Sequence, residues 1–395
     1  MSKIKVNSLE GVGASTPAIS IDNTSGACAA NITSLNGGQF GNKNKVINGS
    51  MVCSQRGVTF SPDNTEQPYT LDRFQHVATS GADGDCTVTQ STDTPHEFKN
   101  SYKVTPDATN TPTGGGNVVI RHKIEGQNLQ DLAYGTSSAK SLSVSFYAKT
   151  GTENSGDQYT LCMFYFRSDG TGKTVNVAFS PTSTWQRFSF TFAGDTDASY
   201  GIRDDNQTGM SIMWVLASGP NDIMAAKPTW EVDGAYFRAV TGQNNFMDNT
   251  NNEFYLTGVQ LEVGSITTSF EHLKSFGQEL ALCQRYYYQI APAVAESLIG
   301  ETVNPDGGAD ICSIRMPVEM RIEPELVVSD FSQAFRVYAS AGTRNPNTFV
   351  LNTGVGSTKS VQISVSGGTQ GGVGFLRLYN SSGGVYATVA LNAEL

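Results

Sequence analysis

The sequence predicts an all-β protein. A jelly-roll-like β-sandwich occupies residues 42–274, one linker helix 275–290 and a smaller C-terminal β domain 291–395, behind an extended N-terminal arm of residues 1–41. Three observations predict this. Apolar residues recur at every second position through most of the chain. Ser, Thr, Asn and 41 Gly carry the polar weight, which suits strands and tight turns better than helices. One segment alone has convincing helical spacing.

The arm is rich in Gly, Ser, Ala and Asn and holds too few apolar residues for a core of its own. Ile4 and Val6 alternate, as do Ile19 and Ile21. Each pair is expected to add a strand to a partner on which the arm orders; an unstructured terminus is the alternative.

Strand patterning dominates the next unit. Leu142, Val144, Phe146 and Ala148 share one face, opposite three serines. Phe188, Phe190 and Phe192 repeat the pattern, as do Val175, Val177 and Phe179. Leu161–Phe166 is apolar on both faces and is expected to be a central strand. Turn residues separate these runs, as at Ser168-Asp169-Gly170 and Pro181-Thr182-Ser183. One-sided strands at this spacing pack as two facing sheets; a barrel is the second choice. The unit closes with Phe254–Gly264, where a phase shift at Thr257-Gly258 predicts a bulge.

Phe276, Leu280, Cys283 and Tyr287 fall on one helical stripe, bounded by Pro292. On this helix, Tyr286, Tyr287 and Tyr288 are candidate oligomer contacts. Alternation returns at Ile314, Met316 and Val318, at Val361, Ile363 and Val365, and at Val385, Ala387, Val389 and Leu391. So few strands are expected to need neighbours, hence an oligomer.

Lys plus Arg number 26 and Asp plus Glu 36, a formal charge of −10. That surface disfavours nucleic acid. No apolar run approaches the roughly 20 residues of a membrane helix, so membrane insertion is not expected, and the start of the chain lacks a signal-type apolar stretch. The six cysteines are widely spread and form no C-x-x-C. They are read as buried free thiols.

Catalytic signals are weak, and no enzyme is expected. Asp169–Thr174 resembles a phosphate loop, but Arg167 stands where its first Gly belongs; a hairpin turn is the better reading. The four histidines are scattered. No cofactor is expected beyond Ca²⁺, for which Asp204, Asp205 and Asn206 form the candidate loop; ordinary turn chemistry explains the same residues. Aromatic rings stack on sugar faces, and Trp230, Tyr236 and Tyr200 are the candidate glycan contacts, against core packing as the alternative.

Several phrases occur in order. They are Asn44-Lys45-Val46-Ile47-Asn48-Gly49-Ser50-Met51 with Gln55-Arg56-Gly57, then Tyr69-Thr70-Leu71-Asp72-Arg73-Phe74, then Ile124–Leu129 and Ser143–Lys149. Gly258–Gly264 with Phe270-Glu271-His272, and Glu279–Tyr287, complete the set. Over residues 42–290 the chain resembles phage tail-fibre and receptor-binding proteins, many from marine phages. The resemblance implies a carbohydrate-binding-module-like jelly roll in a homotrimeric virion protein. The arm would attach to phage tail or adaptor proteins. The far end would contact a host cell-surface glycan or outer-membrane receptor. Residues 291–395 gain little from the resemblance. Physically, Asp72 and Arg73 are expected to form a buried ion pair, and Arg56 to find a carboxylate. The alternatives are a capsid decoration or tail structural protein without receptor binding, and a polysaccharide-degrading tail protein.

Overall fold

The computed structural model describes residues 43–62, 67–233, 237–272, 275–292, 297–328, 335–339, 342–344, 349–351, 356–366, 372–378 and 388–395, with three short strands in the first 42 residues. The candidates Ile4, Val6 and Tyr236 lie outside the described residues.

The arm strands β1 (Ser8–Leu9), β2 (Ile19–Ile21) and β3 (Cys28–Ala30) form one antiparallel sheet with β2 in the middle. Ile19 and Ile21 thus lie in a strand, as expected, but both edges of that strand are taken by the arm itself.

The sandwich begins with β4 (Thr59–Phe60), β5 (Phe74–Ala78), β6 (Cys86–Ser91), β7 (Ser101–Pro106) and β8 (Asn117–Glu125). It continues through β9 (Leu142–Thr150), β10 (Tyr159–Phe166), β11 (Gly172–Phe179), β12 (Gln186–Phe192) and β13 (Thr208–Ser218). The short β14 (Ile223–Met224), β15 (Lys227–Val232), β16 (Ala239–Val240) and the long β17 (Phe254–Val263) complete it. Two six-stranded sheets result, in the orders β15-β11-β10-β13-β8-β5 and β12-β9-β17-β7-β6-β4. Pairing within both is antiparallel, and the chain changes sheet from β8 to β9, β9 to β10, β11 to β12 and β12 to β13. This is the expected jelly-roll-like sandwich. Phe146 of one sheet meets Trp214 of the other edge-on at 5.6 Å, and both are fully buried. Each such ring contributes roughly 1.5–3 kcal/mol by leaving water.

Local expectations hold in detail. Leu161–Phe166 lies in the central strand β10. Arg167–Thr171 is the β10–β11 hairpin turn, with Gly170 at φ 81°. The register of β17 shifts between Thr257 and Gln260, with Gly258 at φ 61°. A second apolar layer, including Phe164 and Met213 with Phe237, covers the outer face of the β10 sheet. Cys53, Cys86, Cys162, Cys283 and Cys312 are buried thiols outside any disulfide.

The helix α1 runs only Phe276–Gln284, opened by a capping box between Ser275 and Gln278. The expected helix over 275–290 is corrected. The chain turns extended at β18 (Tyr287–Ala291), because three consecutive tyrosines favour a pleated strand. The strands β19 (Leu298–Val303), β20 (Ala309–Arg315), β21 (Glu325–Val328), β22 (Phe335–Ala339) and β23 (Gly342–Arg344) follow. Last come β24 (Phe349–Leu351), β25 (Ser360–Ser366), β26 (Val373–Leu378) and β27 (Val389–Asn392). They make a sheet ordered β18-β27-β21 and a seven-stranded sheet ordered β23-β22-β26-β19-β20-β25-β24. A buried core lies between these two sheets, with Val337, Ile363 and Leu376 meeting Val389 and Leu391. The expected shortage of strands is also corrected. No helix of the described residues is long and apolar enough to cross a membrane.

Candidate functional site

The phrases spread along the sequence converge in space. Asn48 and Met51 adopt positive φ of 60° and 57°, which Asn tolerates better than most residues. The Asn48 side-chain amide donates to the Cys53 and Asp72 carbonyls at 2.8 Å each, and its oxygen accepts from Cys53 N–H at 2.9 Å. A Cβ at Gly49 would lie 2.1 Å from the Val259 carbonyl oxygen. The turn is therefore locked onto β17.

Gln55 donates its backbone N–H and its side-chain amide to Asp72, at 3.0 and 2.7 Å. Arg56 lies 3.6 Å from Asp72 and 3.1 Å from Glu394. Arg73 does not pair with Asp72 as expected. Held at φ 69°, it pairs with Glu394 and donates to the Lys123 carbonyl at 2.7 Å. Burial pushes the Asp72 carboxyl up; Arg56 and the Gln55 hydrogen bonds oppose it. Burial works most strongly against the Arg73 charge, but Glu394 together with Tyr286, Tyr69 and Cys283 outweighs it and holds the guanidinium charged. Lys123 is pushed down to about 7, by burial first and then by Arg121 and Arg73.

The tyrosine run supplies the apolar half of this junction. The Arg73 guanidinium lies 3.5 Å from the Tyr286 ring centroid, and that of Arg56 3.6 Å from the Tyr287 centroid, geometry that favours cation–π attraction. Tyr286 O–H donates to Glu125, which also takes a bidentate contact from Arg285 at 2.8 and 2.9 Å. Tyr286 and Tyr287 are 1 % and 6 % exposed, and Tyr288 packs against the second core. Tyr286 and Tyr287 join the two β units of one chain, so the oligomer contact expected of them is corrected; Tyr288 is half-buried.

The other candidates are also placed otherwise than expected. Trp230 is buried edge-on against Tyr165 and Tyr134 at 5.0 and 5.6 Å, and its indole N–H donates to the Ala193 carbonyl. It is a core residue, not a sugar platform. Tyr200 is half-buried, with Lys173 and Arg167 at 4.7 and 5.0 Å from its ring centroid, so the protein's own cations lie over its ring. Asp205 is held by Arg203 through two hydrogen bonds of 2.7 Å, which keeps its carboxyl below the usual range. Asn206 donates to the Arg321 carbonyl at 2.9 Å, and Arg321 donates back to the Asn206 carbonyl at 3.1 Å. Asp204 is exposed. This loop bridges the two units, and no group of three or more His, Cys, Asp or Glu suited to a metal occurs among the described residues.

Beside the junction lies a cleft of about 350 Å³ between the 44–52 turn, the 97–100 loop, residues 270–272 and the start of α1. Phe98, Phe270 and His272 form its aromatic wall, with centroids 4.8–5.2 Å apart. Phe276 stands at its rim, 61 % exposed. Glu271 and Glu279 line it and are nearly buried. Each holds the 44–48 turn: Glu271 accepts from Asn44 N–H at 3.0 Å and Glu279 accepts from Asn48 N–H. An apolar wall beside fixed carboxylate acceptors suits a polyol, whose C–H face packs while its hydroxyls donate. Sequence reasoning placed Phe276 on a buried helical stripe and missed this cleft. The available signal was Phe270-Glu271-His272 immediately before a capped helix.

No protein-family model and no curated protein matches this chain. Among solved structures it is similar to the enzymatically active domain of bacteriophage CBA120 tailspike protein 4, with TM-score 0.29 and 12 % identity over 56 % of this chain and 21 % of that one. It is similar to the family 11 carbohydrate-binding module of a Clostridium thermocellum cellulosomal cellulase, with TM-score 0.28 and 14 % identity over 53 % of this chain and 96 % of that one. A xylan-binding domain from Paenibacillus barcinonensis gives TM-score 0.26 and 11 % identity, covering 52 % and 94 %. The strand order, not these likenesses, defines the sandwich here.

Proposed function

We propose that this chain is a structural virion protein of the tail-fibre kind, which holds a host-surface glycan in the cleft rimmed by Phe276. The carrying observation is convergence. Phrases that resemble those of phage receptor-binding proteins, from Asn44 to Tyr287, build one junction and the aromatic, carboxylate-lined cleft beside it. In this reading the arm attaches to phage tail or adaptor proteins, the protein assembles as a homotrimer through surfaces other than Tyr286–Tyr288, and no chemical step is performed on the glycan.

The test uses fluorescent full-length protein, a Phe276→Ala variant and a form lacking residues 1–41. The expected result is a trimer by light scattering that labels host cells, loses labelling in Phe276→Ala, and rebinds fibre-stripped virions only with the arm present. Rebinding to virions without any cell labelling would replace this reading with a purely structural virion role. Release of reducing ends from host polysaccharide would replace it with a degrading enzyme.

A further inference from the structure

The seven-stranded sheet covers its core with one face and leaves the other open. Residues opposite one another on neighbouring strands point to the same side, so the register spells out the open face. One row crosses five adjacent strands. Val373 of β26 sits opposite Val303 of β19, Val303 opposite Ile311 of β20, Ile311 opposite Ser364 of β25, and Ser364 opposite Val350 of β24. None of the five carries a charge. The next row brings together Tyr338 of β22, Phe375 of β26 and Glu301 of β19. Phe375, Val303, Val350 and Val373 are 44 %, 49 %, 53 % and 62 % exposed, and they are four of the eleven large apolar side chains exposed among the described residues. That is a concentration on one face, where an ordinary surface scatters such groups singly. Val303, Ile311, Val373 and Phe375 line an open groove of about 740 Å³, whose one charged lining residue is Glu301.

Charge, shape and area say what covers it. A charged polymer or peptide needs complementary charge, and the five-residue row has none. A sugar needs converging polar groups beside its apolar wall, and this row offers aliphatic branches. A flat sheet face is best covered by a second one, about 10 Å away. Seven strands about 4.8 Å apart, each about five residues long at about 3.3 Å per residue, make a face of roughly 550 Å² before side-chain relief is counted. A stable contact between proteins takes about 800 Å² from each partner, so most of the required area is present. On a chain of net charge −10, copies repel one another, and they meet at least cost through a face this poor in charge. We infer that this face packs against the same face of a second copy of the chain, the aliphatic row of one copy filling the groove of the next. This rests on the homotrimer proposed above, in which three such faces close around one axis.

Light scattering on the full chain over a dilution series tests it. The wild type is expected to be an oligomer that added sodium chloride does not loosen. Val373→Asp and Val350→Asp, at opposite ends of the row, are each expected to raise the dissociation constant at least about hundredfold, because each puts an unpaired charge into the contact. Val58→Asp changes a similarly exposed valine of the sandwich and is expected to leave the mass unchanged. Thermal melts check that each variant folds. Where an Asp variant does not, the double variant Val303→Thr with Val373→Thr keeps the branched shape and is expected to weaken the oligomer by about tenfold. The inference fails if the wild type is a monomer at every concentration, or if salt dissociates it as it would an ionic contact. It also fails if Val373→Asp abolishes cell labelling or virion rebinding at unchanged mass, which gives the face to a foreign partner. A trimer left intact by both Asp variants overturns this face and keeps the homotrimer. A wild-type dimer split by Val373→Asp keeps this face and overturns the threefold assembly.

Discussion

Arg73 and Glu394 are 321 residues apart in sequence and form an ion pair whose side chains are 1 % and 4 % exposed. The pair ties the residue that precedes β5 of the sandwich to the residues that follow β27. Tyr69 and Lys123 reinforce it by donating to the Leu395 backbone oxygen at 2.9 and 2.5 Å. Glu394→Gln leaves the Arg73 charge buried without its counter-ion, a loss of about 3–5 kcal/mol. Urea denaturation reads it. Replacing both residues with Met is expected to recover most of that loss, because an apolar pair needs no compensation.

Trp230 separates packing from recognition. Trp230→Ala removes a buried ring set against Tyr165, Tyr134 and Phe192. It is expected to cost about 3–5 kcal/mol and to leave glycan affinity per folded molecule unchanged. Thermal melts and binding isotherms on the same sample check both halves.

His76 gives the sandwich an acid limit. Burial pushes its imidazole down to about 4, against 6.5 when free, with a hydrogen bond to the Gly84 carbonyl opposing. Between those values the unfolded chain takes up a proton that the folded chain refuses. Stability therefore falls as pH drops from about 6.5 toward about 4, and this contribution is flat below. His122 acts in the same direction, through burial and the Arg73 charge. The His76 contribution alone is about 3 kcal/mol. His76→Gln keeps a donor for Gly84 and is expected to flatten part of the slope of unfolding free energy against pH.

The thiols are expected to be inert in the folded protein. Burial pushes Cys162 up to about 11 and Cys312 likewise to about 11, and raises Cys283; only the thiolate reacts readily. Iodoacetamide at pH 8 is expected to leave Cys53, Cys86, Cys162, Cys283 and Cys312 unlabelled until denaturant is added. Peptide mass spectrometry reads each site.

The sandwich was legible because its strands are one-sided or, in β10, apolar on both faces, and period-two patterning reports burial directly. The bulge at Gly258 and the Arg167–Thr171 turn were legible from local chemistry. Partners across the chain were not. Asp72 and Arg73 are adjacent, so a local pair was the natural expectation, yet the fold sends Arg73 to Glu394 and brings Arg56 to Asp72. The tyrosine run fits a helical stripe on spacing alone, but two guanidiniums from the sandwich hold Tyr286 and Tyr287 at the junction. Trp230 and Tyr200 carry the right rings for a sugar, but whether a ring faces solvent depends on which strands flank it. Phe276 failed in the opposite sense: a stripe predicts a buried face, and the helix buries Cys283 of that stripe beside Glu279 while Phe276 stays exposed.

The most direct test of the proposed function is a calorimetric titration of host-surface oligosaccharides into the wild-type protein and into Phe276→Ala. Saturable binding to the wild type is expected, weakened at least about tenfold in the variant, or roughly 1.4 kcal/mol, with both proteins melting at the same temperature because Phe276 is exposed. Equal affinity in the two proteins, or no binding to either, would contradict a glycan site in the cleft.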